Sequence, residues 1–108
     1  MVLERFFFFL TDVIAPSHAG FFLQRAGEPD GASLLQGRYA TAALQAERFL
    51  KHNDYMAGAE FSIADIAAFT ILKSLRANVP WDGSQEMAAW FRRVEARPAV
   101  QRGLRAFD

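Results

Sequence analysis

The sequence contains no cysteine, and that one absence removes disulfides, thiolate metal sites and a thiol nucleophile together. Redox chemistry by this chain alone is excluded. Net charge is also absent, with twelve Lys and Arg against twelve Asp and Glu, so no general attraction to nucleic acid or an anionic membrane is expected. Histidine is limited to His18 and His52. Neither has an Asp or Glu at metal-ligand spacing, so both suit a surface or helix-end role and no metal is expected. Long apolar runs are missing as well. The run Phe6 to Leu10 is five residues long and is closed by Thr11 and Asp12, too short for a signal peptide core and far short of a membrane span. The expectation is a soluble cytoplasmic protein with no membrane or nucleic-acid partner.

What the chain does have is helical periodicity. At 108 residues it reads as a single domain, 1–108, and no segment alternates with period two for long enough to argue a sheet. The spacing predicts an all-α bundle of about five helices. The first runs from Val2 to about Ala15, where Pro16 ends or kinks it, with a continuation toward Gly27. "GEPDGAS", Gly27 to Ser33, reads as the clearest loop. A second helix from about Ser33 to His52 buries Leu35, Tyr39, Ala42, Ala43, Ala46, Phe49 and Leu50 on one face. The third, Ile63 to about Ala77, is apolar on nearly every side and belongs at the centre. "NVPWDGS" reads as a loop, and Ser84 caps a fourth helix to about Ala96 with Met87, Trp90, Phe91 and Val94 inward. Pro98 opens a short last helix with Val100, Leu104 and Phe107.

The segment "YMAGAEFSIADIAAFTILKSL", Tyr55 to Leu75, carries a helix-start signature. Ser62 stands at the N-cap, where its hydroxyl can accept from the Asp65 amide while the Asp65 carboxylate reaches back to the Ser62 amide, a capping box with Asp in place of Glu. Phe61 and Ile66 stand at the two positions of a hydrophobic staple. Ser62 and Asp65 are not a catalytic pair, because no histidine stands nearby to act as base. No catalytic residue is assigned.

This segment resembles the capping-box and staple region of the helical C-terminal domain of glutathione transferases. "AAWFRRVEARPAVQRGL", Ala88 to Leu104, resembles the segment that closes that domain, and "VLERFFFFLTDVIAP" is similar to the helix that opens it. In that family a preceding thioredoxin-like domain binds glutathione and activates its thiol, and this chain is expected to begin after that domain would end. The resemblance implies a helical half that supplies a wall of the hydrophobic co-substrate pocket and part of a dimer interface. The chain itself holds no cofactor, and glutathione is a co-substrate only where a thioredoxin-like domain is present. The expected partners are a second copy, a thioredoxin-like domain or another protein, and a hydrophobic small molecule. The same helical domains also recur as non-catalytic protein interaction modules.

Four consecutive phenylalanines, Phe6 to Phe9, step by about 100 degrees each and wrap most of the first helix. One side enters the core, and the other is expected to face the co-substrate cleft, a thioredoxin-like domain or a second subunit. By family position and helix spacing, Phe6, Phe9, Val13 and Phe69 are the expected pocket residues. Many relatives carry a Trp near the position of Arg5 and polar residues that touch glutathione. Phe7 and Phe8 occupy that region here, so the resemblance does not carry glutathione contact onto this helix. Tyr39 and Tyr55 are expected to be buried with one hydroxyl bond each. Arg92, Arg93, Arg97, Arg102 and Arg105 are expected to form a solvated face.

Overall fold

Pro16 does not end the first helix. In the computed structural model, which describes residues 1–75 and 84–106, helix α1 runs continuously over Val2–Arg25. It is α-helical over Val2–Phe8, widened to π geometry over Phe9–Ile14, and α-helical again over Ala15–Arg25. A proline within an α-helix lacks the donor that the carbonyl four residues back requires, and its ring crowds that carbonyl. A wider turn just ahead of Pro16 relieves both conflicts, so the helix passes through. By length and composition alone α1 is the one helix among the described residues that could cross a membrane. Its Phe9 and Val13 side chains are nonetheless enclosed by the bundle, at 0% exposure.

The loop expected from Gly27 to Ser33 shrinks to one turn. Ala26 caps α1, and Gly27 follows at φ 78°. The Gly27 amide donates to Gln24 O at 3.2 Å and the Glu28 amide to Leu23 O at 2.9 Å, the paired bonds of a Schellman motif. Helix α2 then begins four residues earlier than its apolar spacing suggests. It is α-helical over Pro29–Gln45 and tightens to 3₁₀ geometry over Ala46–Leu50. Pro29 at the first position costs no hydrogen bond, and Asp30 in the first turn complements the helix dipole.

After a connecting segment with an isolated bridge between Tyr55 and Gly58, helix α3 spans Ile63–Ser74, α4 spans Gln85–Glu95 and α5 spans Pro98–Arg105. These five helices make an all-α bundle. Ser84 caps α4, its hydroxyl accepting from the Met87 amide at 3.1 Å. The loop Asn78 to Gly83, the expected end of the third helix at Ala77, and Phe107 lie outside the described residues.

Helix α3 is central, as its composition requires. Ala64, Ala67, Ala68, Phe69, Ile71 and Leu72 are all buried, and the helix packs against α1 and α4. Around it close Phe9, Val13, Met56, Met87, Trp90 and Val94, each at 1% exposure or less. Ile63 and Ile66 are the exceptions on α3 and remain exposed.

Gly27 is the position where the α1–α2 turn depends on a missing Cβ. A left-handed conformation costs an L-residue about 1 to 2 kcal/mol. Gly27→Ala is expected to lower stability by about 1 kcal/mol and the melting temperature by about 4 to 8 °C for a domain of this size, measured by thermal and urea unfolding. An unchanged midpoint would contradict the turn described.

Candidate functional site

The cap of α3 is built as a hub. Ser62 and Asp65 form the reciprocal capping box. The Ser62 hydroxyl also accepts from the Ala64 amide at 3.2 Å, and Asp65 Oδ2 accepts from the Ser62 amide at 3.0 Å. The other carboxylate oxygen, Oδ1, accepts from the Met56 amide and from Trp90 Nε1, each at 2.8 Å. Asp65 is 0% exposed. The two extra donors are not part of a capping box, but sequence signals for both existed. A lone Asp among "IADIAAF" must find partners when its helix is central, and a buried Trp needs an acceptor for its indole N–H.

The four residues expected to line a co-substrate cleft do not meet in one cavity. Phe9 and Val13 are core residues rather than cleft residues. They lie in the π turn and are closed off by the bundle, with Phe9 set edge-on to Phe8 at 5.2 Å and to Phe49 at 6.3 Å. Phe6 and Phe8 are partly buried against the same core. Of the four consecutive rings, only Phe7 stands largely in solvent, at 53% exposure. Arg5 adds to this cluster, its guanidinium lying 3.6 Å above the Phe49 ring. Burial, reinforced by nearby Arg48 and opposed by Glu4, lowers the pKa of Arg5 below its ordinary value.

Phe69 is the one expected pocket residue that does line a cavity. Its ring leans on Trp90 and Phe91 and forms part of a groove of about 500 Å³ between α3 and α5. Phe61, Ile66, Val94, Val100 and Leu104 complete most of its wall. The two staple residues thus share this groove, with Phe61 partly buried and Ile66 exposed. Arg97 lies 4.0 Å above the Phe61 ring, and its Nη1 donates to the Tyr55 hydroxyl at 3.5 Å. Arg93 donates to Asp54 O at 2.6 Å. Part of the arginine run therefore fastens α4 to the segment before α3, while Arg92, Arg102 and Arg105 remain exposed.

A smaller pocket of about 380 Å³ lies between α1 and α2 beside the end of α3, with Gln24, Gln36 and the buried Tyr39 in its wall. His18 and His52 are both exposed. Among the described residues no three of His, Asp and Glu gather as a metal site.

The family model for the glutathione S-transferase C-terminal domain matches residues 20–98. FtsZ-localized protein A of Caulobacter vibrioides is 36% identical over 83 residues, which cover 73% of this chain and 36% of that protein. A glutathione S-transferase domain-containing protein of Marinobacter aquaeolei superposes with a TM-score of 0.76 at 22% identity, over 91% of this chain and 53% of its own. A glutathione S-transferase of Pseudomonas fluorescens gives 0.72 at 25% identity, over 90% and 51%. The chain spans about half the length of these two structures and about a third of the Caulobacter protein.

Replacing Asp65 separates the hub from an ordinary cap. Ser62→Ala is expected to cost about 1 kcal/mol. Asp65→Ala leaves three donors without their acceptor and is expected to cost about 3 to 5 kcal/mol, measured by urea unfolding. Equal losses for the two variants would show that the Met56 and Trp90 bonds contribute little.

Proposed function

Since the chain belongs to the glutathione S-transferase C-terminal domain family, we propose that it works as the helical half of a glutathione transferase-like protein. Its task is to dock on other polypeptide and to present an apolar wall to a hydrophobic co-substrate. The observation that carries this reading is the distribution of its exposed apolar side chains. Phe7, Phe21, Phe22, Leu34 and Ile66 are each more than half exposed, and they stand on open helix faces. Covering a large apolar side chain contributes about 1.5 to 3 kcal/mol, and exposed patches of this kind mark interaction surfaces.

In this reading conjugation of glutathione to an electrophile requires a thioredoxin-like domain, which binds glutathione and activates its thiol. The helical half excludes water from the electrophile and completes a dimer interface. Of the expected pocket residues, Phe9 and Val13 act only as support behind the surface, which leaves the partly buried Phe6 and the groove-lining Phe69 to form the wall. The cytoplasm, where glutathione is abundant and thiols stay reduced, is the compartment that fits.

A second reading is supported by the Caulobacter relative, whose name describes it as FtsZ-localized. A non-catalytic assembly module would use the same open faces to bind a partner chain, with no chemistry.

Three measurements test these readings. The 108-residue chain alone is expected to react glutathione with a generic aryl electrophile no faster than solution does, and a clear rate gain would overturn the proposed division of labour. Light scattering is expected to show self-association that Phe7→Glu or Phe22→Glu weakens, with stability changed by no more than about 0.5 kcal/mol. A clean monomer at high concentration removes the second copy as the cover. Fused behind a thioredoxin-like transferase domain, the chain is expected to restore turnover. A folded fusion without activity favours the assembly module.

A further inference from the structure

We propose that the groove between α3 and α5 is a docking site for an acidic amphipathic helix of a protein partner. This rests on the docking role proposed above and names the chemistry of the partner at one surface. The floor of the groove is apolar, formed by Phe61, Phe69, Val100 and Leu104 among others, and cations stand around it. Arg97 lies over the Phe61 ring, and Lys73 Nζ stands 5.7 Å from the centre of the Phe69 ring. On helix α5 the small and apolar Ala99, Val100, Gly103 and Leu104 face the groove, while Arg102 and Arg105 stand on the other side of the helix, exposed.

Neither Arg97 nor Lys73 forms an ion pair among the described residues, where the ion pairs are Met1 with Glu4 and Arg93 with Asp54. Glu60, next to Phe61, is exposed and is likewise unpaired among them. An apolar floor with unpaired cations at its margin complements a ridge of apolar side chains flanked by carboxylates.

The extent of the surface favours a polypeptide over a small molecule. Ile63 and Ile66, three residues apart and so on one side of α3, are both exposed. Ile66 lines the groove, and Ile63 carries the apolar surface beyond it toward the start of the helix. A helix presenting side chains at i, i+3, i+4 and i+7 covers such a strip.

The probes are two 18-residue helical peptides with the same leucine ridge, one flanked by Glu and the other by Lys. Amide shifts of the labelled 108-residue chain locate binding, and fluorescence anisotropy measures it. The Glu peptide is expected to shift Ile66, Val100 and Leu104 and to bind at least tenfold more tightly than the Lys peptide. The Lys73→Glu variant is expected to weaken the Glu peptide at least fivefold. Gly103 also lines the groove, and a Cβ there meets nothing within 4 Å. Gly103→Met therefore keeps the helix and fills the groove, and it is expected to weaken binding at least tenfold with an unchanged circular dichroism spectrum.

Equal affinity for the two peptides, or no binding, overturns the proposal. So do shifts confined to Phe7, Phe21 and Phe22, a result that leaves the broader docking function standing. Binding of dodecanoate at these residues without the peptide would make the groove a small-molecule site instead. Loss of self-association on Gly103→Met alone would assign it to a second copy.

Discussion

One buried carboxylate joins the segment before α3, the cap of α3 and the more distant α4. Asp65 accepts from the Met56 amide in the segment before α3, from the Ser62 amide at the cap, and from Trp90 Nε1 on α4. Each bond alone is modest, but together they remove the hydrogen-bonding need of three donors that have little or no access to water. They also fix directions. Met56 is held against the core, Trp90 is oriented so that its ring meets Phe69 and Phe91, and the entry of α3 is set by its first turn. The groove inherits this geometry, because Phe61 immediately precedes the cap, Ile66 immediately follows Asp65 and Phe69 sits one turn further on. Even the wall of a surface groove is thus positioned from inside.

The four phenylalanines of α1 follow the same logic of internal geometry setting outer surface. A regular α-helix would spread them evenly, with two rings in and two out. The bundle covers three of the four at least in part. Phe9 enters the core, Phe8 packs edge-on to Phe9 and Phe49, Phe6 is half covered, and Phe7 alone is mostly exposed. The answer to this apolar helix is therefore mainly internal. Arg5 completes it by stacking on Phe49, a cation placed on an aromatic face in an otherwise apolar neighbourhood.

How much of this was legible depended on the range of each interaction. Local signals carried well. The caps at Ser62 and Ser84, Pro98 as a first helical residue, the inward face Met87, Trp90, Phe91 and Val94, and the centrality of α3 all depend on neighbours within a few residues. The loop from Gly27 to Ser33 misled because Gly, Pro and Asp serve two purposes. They break helices, and in the order Gly-Glu-Pro-Asp they also end one and start the next with almost no connection. The pocket residues were misplaced for a different reason. Family position puts Phe9 and Val13 on a helix near the cleft, but an apolar side chain there suits core and cleft alike, and four consecutive rings leave the spacing silent on which side meets the bundle. The groove escaped notice because it is formed by side chains from three helices, and nothing in the spacing of Val100 and Leu104 says which face of α3 they meet.

The structure also separates two kinds of apolar surface that composition alone merges. At Phe7 and Phe22 the rings project from the open side of a helix, where a flat partner of almost any apolar character would cover them. In the groove the rings line a concavity, and two of them already carry cations from Arg97 and Lys73. A concave apolar surface with a charged margin discriminates between partners, because a ligand of the wrong sign must strip water from those cations without replacing it. The open faces can then contribute association strength while the groove contributes choice. A helical half that meets more than one polypeptide needs both properties, and in this chain they lie on different helices, so each can change without disturbing the other.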